Sequence, residues 1–334
     1  MSSRNSLVSI CIPTYNSKKW VGETIHSALA QTWENKEIII VDDGSVDDTY
    51  QIIKQFESDN VRVFRQENKG ACSARNRALK EANGDFIQWL DADDILASDK
   101  IEIQLRNSNM NPKSRILHSC SWGFFYYCTS RAKLRPTILW QDSSNIDWLI
   151  NRFGKKLMMP NHSFLVSREL SELAGPWNEN LKINQDGEYF TRVIIACNYI
   201  KFHPNSVCYY RKANADSIST KNRIIEAMSF ANNLCVDHLI NFQNNETTRE
   251  AAANFLGKFV SDYFYINSHI IDENIKRIVN LGGVVNDPER SRKFIFISKI
   301  FGPKTATQLK TKTWKLKVFI EKWIERALKL LGCK

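Results

Sequence analysis

The feature that most restricts this chain is a set of four short apolar runs within its first hundred residues, separated by stretches with helical spacing. Leu7-Val8-Ser9-Ile10-Cys11-Ile12 stops at Pro13, and Glu37–Val41 stops at Asp42-Asp43-Gly44-Ser45. Val61–Phe64 is the third run, and Phe86–Leu90 ends on Asp91-Ala92-Asp93-Asp94. Helical patterns occupy 17–31, 47–58 and 71–82 between them. Near-continuous apolar strands alternating with helices are the pattern of parallel βαβ units, whose strands are covered on both faces. The expected fold is therefore α/β, with a mostly parallel sheet flanked by helices. Ligands in such sheets bind beyond the carboxyl ends of the strands. Pro13-Thr14-Tyr15-Asn16, Asp42-Asp43-Gly44-Ser45 and Asp91-Ala92-Asp93-Asp94 should then line one rim.

The rest of the 334 residues reads less regularly. Short aromatic strands are expected at Ile116–Tyr127, Ser163–Val166, Tyr199–His203 and Val207–Tyr210, with a helix beginning near Gln185. After Asn214 the pattern is mostly helical, and a boundary is placed near Asn222. A composition of 43% hydrophobic and 25% charged residues excludes a disordered, collagenous or coiled-coil chain. No apolar run approaches the ~18 residues needed to cross a bilayer, and the first six residues lack the apolar core of a secretory signal. A cytoplasmic location is expected. The eight cysteines are scattered without a C-x-x-C pair, which favours buried reduced thiols over a zinc site or disulfide framework.

Net charge is +10, but nine basic and two acidic residues between Lys304 and Lys334 account for +7 of it. A charge confined to one tail argues against a general nucleic-acid binder. In that tail Leu316, Phe319, Ile320, Trp323, Ile324, Ala327, Leu330 and Leu331 fall in one stripe of about 140° at 100° per residue. Lys315, Lys317, Lys322, Arg326 and Lys329 lie beside or opposite the stripe. A basic amphipathic helix of this kind either binds the interface of an anionic membrane or packs its stripe on the protein's own helices.

Asp91-Ala92-Asp93 carries the clearest chemistry. In an extended segment residues i and i+2 share a face, so both carboxylates can point at one ligand. Mg²⁺ and Mn²⁺ accept one or two carboxylates and complete their shell with water and substrate phosphates. A departing diphosphate needs its developing charge neutralised, which such an ion does.

At this point the motifs form a set. Val8-Ser9-Ile10-Cys11-Ile12-Pro13-Thr14-Tyr15-Asn16, Ile40-Val41-Asp42-Asp43-Gly44-Ser45-Val46-Asp47, Asn68-Lys69-Gly70-Ala71-Cys72-Ser73-Ala74-Arg75-Asn76 and Trp89-Leu90-Asp91-Ala92-Asp93-Asp94 resemble the family 2 glycosyltransferases, in order and spacing. Ala174–Glu179, Asn184–Arg192 and Tyr209-Tyr210-Arg211 resemble the family's later segments, so the likeness reaches about residue 220. It implies a GT-A, Rossmann-like domain over 1–220; the residue pattern beyond it gives a helical region over 221–303 and the basic amphipathic helix over 304–334. It implies an inverting, metal-dependent transfer of a sugar from a nucleotide-diphosphate sugar to a saccharide or lipid-linked acceptor, in surface polysaccharide or glycolipid synthesis at the cytoplasmic face of a membrane. By the same likeness Pro13, Thr14, Tyr15, Asp42, Asp43, Arg75, Asp91 and Arg211 hold the nucleotide-sugar. Asp93, with Asp91, holds Mn²⁺ or Mg²⁺, and Asp186 is the catalytic base.

The chain departs from the family in two places. Gln185 precedes Asp186 where a Glu is usual, which removes one like charge that raises a neighbouring carboxyl pKa; Glu188 is an alternative base. No His follows Tyr210-Arg211, so Arg211 or Lys212 would supply positive charge there. His162 is either a satisfied loop histidine or part of the acceptor side, and Trp177 either packs or stacks on a sugar. Two other readings are a catalytically silent nucleotide-sugar binding protein and a membrane adaptor acting through its tail.

Overall fold

The computed structural model of the protein describes residues 6–106, 113–212, 221–264, 268–285, 319 and 321–329. In chain order it contains β1 (Val8–Thr14), α1 (Val21–Leu29), β2 (Lys36–Asp42), α2 (Thr49–Lys54), β3 (Val61–Arg65), α3 (Ala71–Glu81) and β4 (Phe86–Trp89). These form a sheet of order β3-β2-β1-β4, all parallel, with the two-residue β9 (Val166–Ser167) antiparallel on the edge beside β4. Every residue of β1 and β4 is buried, the condition that a sheet covered on both faces imposes. The order reverses on either side of β1, and this switch point is where a crevice opens at the strand ends.

The second sheet is mixed. β6 (Ile116–Phe125) and β10 (Tyr199–Arg211) run parallel, joined antiparallel by β5 (Ile95–Leu96), β7 (Lys133–Leu134) and β8 (Ser143–Ser144). The two strands expected at 199–203 and 207–210 are one, with a register break between His203 and Val207. Pro204 sits in the break, where a residue without an N–H is tolerated. Ser163–Val166 is not a strand throughout: Asn161–Ser163 is a 3₁₀ turn leading into β9.

Helices α4 (Lys100–Arg106), α5 (Asn145–Lys155), α6 (Arg168–Ala174) and α7 (Gln185–Ala196) fill the middle of the chain. The sequence pattern gives no expectation of α4, α5 or α6; Ser144 and Ser167 cap the last two by accepting the N–H of Asp147 and Leu170. Then come α8 (Lys221–Phe242), α9 (Glu246–Tyr263) and α10 (Ser268–Asn280), with α8 against α7 and α9 against α5. One apolar core runs from the first sheet into these helices through Phe153, Leu239, Leu256 and Phe259. Each such side chain contributes about 1.5–3 kcal/mol by leaving water. The helical region is thereby fixed against the elements that carry the site.

The seven cysteines among the described residues are buried and unbridged. Among the same residues no helix is long and apolar enough to cross a membrane. Residues 321–329 form a helix that docks by its acids: buried Glu325 accepts the N–H groups of Tyr126 and Tyr127 at 2.9 Å, and Glu321 pairs with Lys133 at 2.9 Å. Phe319, Trp323 and Ile324 are exposed, so this part of the tail does not pack on the protein through its apolar stripe. Leu316, Ile320, Leu330, Leu331 and the rest of 304–334 lie outside the described residues, as do Ala213 and Asn214 of the stretch after Tyr210-Arg211 where the family's His is absent.

Candidate active site

The crevice at the strand ends is a cavity of about 720 Å³. Pro13, Thr14 and Tyr15 enter its wall from the end of β1, Asp43 from the turn after β2, Gly70 and Arg75 from α3, and Asp91 and Asp93 from beyond β4. The carboxylates that looked like a common rim thus share one hollow. Asp43 is rigidly placed. Its carboxylate accepts Gln66 Nε2 at 2.8 Å and the N–H groups of Lys69 at 2.9 Å and Gly70 at 2.8 Å, tying the β2 turn to the start of α3. Gly44 makes that approach feasible: its φ is +73°, and a Cβ there would lie 2.8 Å from Asn68 N.

Arg75 is the hinge of the site. Its buried guanidinium lies 2.7 Å from the Asp91 carboxylate and 3.7 Å from that of Asp186, and donates to Gln185 Oε1 at 2.8 Å. Its charge also rests 4.5 Å from the centre of the Trp177 ring. Burial alone would raise Asp91, but the Arg75 charge and hydrogen bond outweigh it and hold Asp91 below its ordinary pKa. Asp186 goes the other way. Burial first, then the Asp91 charge, push it up to about 6, with Arg75 opposing. A neighbouring Glu is therefore not needed to lift Asp186; Gln185 instead gives Arg75 an acceptor without adding charge.

Among the described residues Asp93 has no such partner. Burial, then the charges of Asp94 and Asp91, raise it to about 7, and Arg211 offsets this only in part. Among the described residues no group of three or more His, Cys, Asp or Glu side chains could hold a metal ion. The donor set nevertheless fits a hard cation that takes one or two carboxylates and draws its remaining oxygens from water and phosphate. Below this turn His162 is fully buried, with Nδ1 3.1 Å from Asp94 Oδ2 and its ring parallel to Tyr210. Asp94 also accepts the Arg211 N–H at 2.7 Å. The histidine and Asp94 support the acidic turn from beneath, a role no local sequence signal announced.

A second cavity, about 510 Å³, opens on the other side of Arg75. Asp186, Gln185 and Tyr210 line it, with Met158, Phe255, Phe259 and Tyr263. Arg75 is in the wall of both cavities, so the two adjoin at Arg75 and the acids around it.

Some expected residues lie elsewhere. Asp42 is fully buried outside the lining, where it accepts Ser45 N at 3.2 Å and pairs with Arg65 at 3.3 Å; it builds the turn that presents Asp43. Arg211 is buried behind the wall, donating to the Asp93 carbonyl at 2.7 Å and to Glu23 at 2.8 Å, so it braces the acidic turn. Glu188 is buried between Arg192 at 2.7 Å and His238 at 2.9 Å, away from the cleft, which removes it as a base. Trp177 is buried and stacked on Tyr189 at 4.0 Å; it packs under Arg75 and offers no face to a sugar.

Residues 9–172 match the family model described as Glycosyl transferase family 2. The chain carries a family 2 glycosyltransferase domain. It is 35% identical over 154 residues to the putative teichuronic acid biosynthesis glycosyltransferase TuaG of Bacillus subtilis, covering 45% of this chain and 55% of that protein. It is 28% identical over 294 residues to the chondroitin synthase of Pasteurella multocida, covering 83% of this chain and 26% of that protein. Matches to the first curated relatives cover between 15% and 55% of their length. Among solved structures, S. aureus TarS 1–349 in complex with UDP-GlcNAc has a TM-score of 0.61 at 20% identity, covering 82% of this chain and 79% of that one. That likeness places the glycosyltransferase domain in the GT-A fold.

Proposed function

We propose that the protein transfers a sugar from a nucleotide-diphosphate sugar to an acceptor hydroxyl, with inversion at the anomeric carbon. The observation that carries this reading is the position of Arg75, which joins an acid-lined donor cavity to a second cavity holding Asp186. In the first, Thr14, Tyr15 and Asp43 would cradle the nucleoside, leaving the diphosphate beside Asp91 and Asp93. In the second, the acceptor hydroxyl would meet Asp186. A carboxyl pKa near 6 leaves Asp186 ionised at neutral pH yet more basic than an ordinary carboxylate, as a general base requires.

The acceptor oxygen then bonds to the anomeric carbon while its proton passes to Asp186. The bond from that carbon to the diphosphate breaks, and its electron pair leaves with the nucleoside diphosphate. One displacement inverts the centre, and no second carboxylate is needed as a covalent nucleophile. A divalent cation held by Asp93 with Asp91 would supply positive charge against the leaving diphosphate. Arg75 keeps Asp91 ionised and fixes Gln185 beside the base.

Similarity to a putative teichuronic acid biosynthesis glycosyltransferase and to a chondroitin synthase supports a saccharide or lipid-linked acceptor in polysaccharide or glycolipid synthesis, and the exposed Phe319, Trp323 and Ile324 of the basic tail support a peripheral position at the cytoplasmic face of a membrane. A panel of UDP-, GDP- and dTDP-sugars, each with Mn²⁺ or Mg²⁺, is screened for a thermal shift, and the responding donor is assayed for nucleoside diphosphate release with candidate acceptors. Release that depends on the cation and is lost in Asp186→Asn is the expected result. Equal release from both proteins removes Asp186 as the base.

A further inference from the structure

The tail helix is oriented by its charges. At about 100° per residue, Glu321, Glu325 and Lys329 share an arc of about 80°. All three point at the catalytic domain: Glu321 to Lys133 and Tyr126, Glu325 to the N–H groups at Tyr126–Cys128, and Lys329 to Glu23. A buried glutamate in a concave row of backbone N–H groups is a specific seat that a solvated acid would not take up. Phe319 and Trp323, each 65% exposed, and Ile324, 40% exposed, centre on the opposite side. The helix is therefore mounted with its polar arc inward and its aromatic arc outward, the reverse of a helix packing on a core.

The flank of the outward arc is basic. Lys322 and Arg326 lie between the docked and the aromatic sides, and Arg326 is exposed. Burial, then the charges of Arg326, Arg211, Lys322 and Lys329, pull Lys19 below its ordinary pKa, which reports a concentrated positive field at this end despite Glu23 and Glu321. A second copy of the chain is a poor occupant. Three side chains expose on the order of 400 Å², against roughly 800 Å² per partner in a stable interface. Cationic side chains beside Trp and Phe on a short helix match the boundary between anionic headgroups and acyl chains.

The mount also reaches the donor cavity. Lys329 lies 5.4 Å and Arg211 4.0 Å from the centre of the Trp20 ring, and Trp20 lines that cavity. We infer that Phe319, Trp323 and Ile324 insert into an anionic lipid surface while Lys322 and Arg326 meet its headgroups, and that the docked acids hold the cleft beside that surface. The inference deepens the peripheral setting proposed above and rests on it for its purpose, while its test needs no turnover.

The test is sedimentation of the full-length protein with vesicles of phosphatidylcholine, with and without one quarter phosphatidylglycerol. Wild type is expected to bind the anionic vesicles at least tenfold better than the neutral ones, and to release them at high salt. Phe319→Ser/Trp323→Ser is expected to lose at least tenfold in that binding while keeping its nucleotide-induced thermal shift, because both side chains already face solvent. Equal binding to the two vesicle types overturns the inference, as does a double variant that binds like wild type. So does a wild-type dimer that becomes monomeric in the variant without any vesicle binding. Anionic-vesicle binding with no nucleoside diphosphate release from any donor leaves this inference standing and removes the transferase reading.

Discussion

The two cavities that meet at Arg75 are built differently. Of the first cavity's walls, the loops after β1, β2 and β4 and the first turns of α3 all lie within residues 13–93, and hydrogen bonds to their backbone lock them. The walls of the second cavity come from α5 and the loop after it, from the start of α7, and from α8 and α9, more than a hundred residues apart in sequence. The first is a set of strand ends that any doubly wound sheet supplies. The second exists only because the helical region packs against α5 and α7. With the donor in the first cavity and the acceptor in the second, as proposed, donor handling is expected to be rigid and local, and acceptor handling to depend on how helices seat against one another.

The strongest way to break that division is Asp186→Asn. Asp186 is the proposed base and lies in the second cavity, proposed for the acceptor, so turnover is expected to fall by about 10²–10⁴-fold. Nucleotide affinity, read by calorimetry, is expected to stay within about twofold. A matching loss of nucleotide binding would mean that the two cavities are one functional unit and that Asp186 holds the donor.

Asp93→Asn probes the other side. Its carboxyl is lifted to about 7 by burial and by Asp94 and Asp91, so in the cation-free protein the folded state destabilises its ionised form. A folded pKa above the unfolded one costs stability as pH rises through that interval, and the cost is fully present at pH 8. Removing the carboxylate is expected to raise the melting temperature of the metal-free protein at pH 8 by about 1–3 °C, while cation-dependent nucleotide binding drops about tenfold or more. A lower melting temperature would show that the acidic turn needs this charge for its fold.

The pH dependence sharpens the same contrast by a smaller margin. As the proposed base Asp186 must be ionised to accept a proton, so kcat is expected to fall about tenfold per pH unit below a limb near pH 6. An acid limb near pH 4 would mean that the acceptor-side carboxylate is as solvated as a surface one.

The two sides also differed in how far sequence revealed them. The donor side was legible because strand-ending residues sit where apolar runs stop, and the runs are contiguous. Asp43, Asp91 and Asp93 could be placed on one rim from spacing alone. Asp42 and Asp43 are not told apart by sequence because they are neighbours: Asp42 ends β2 buried, accepting Ser45 N, while Asp43, one residue beyond the strand, lines the cavity. The acceptor side was opaque. Nothing local ties Met158 to Phe259, and Trp177 looked the same whether it packs or stacks until Tyr189 was found 4.0 Å above it. The tail's stripe was legible as a stripe, but which way it faces depended on Glu325 finding the N–H groups near Tyr126, some two hundred residues earlier.

The gentlest test lies at the outer end of the second cavity. Met158 lines it, is 48% exposed, and follows α5 in the loop that faces α9. Because the side chain already meets water, Met158→Ser leaves little cavity behind and is expected to change stability by less than about 1 kcal/mol. If acceptors extend along this wall, the lost apolar contact is expected to raise acceptor KM about three- to tenfold, with kcat and nucleotide affinity unchanged. An effect confined to acceptor KM would assign the helical wall to acceptor recognition and separate it from the chemistry at Asp186. An unchanged KM would restrict the acceptor to the inner part of the cavity, beside Gln185 and Tyr210, and confine the helices to holding α5 and α7 in place.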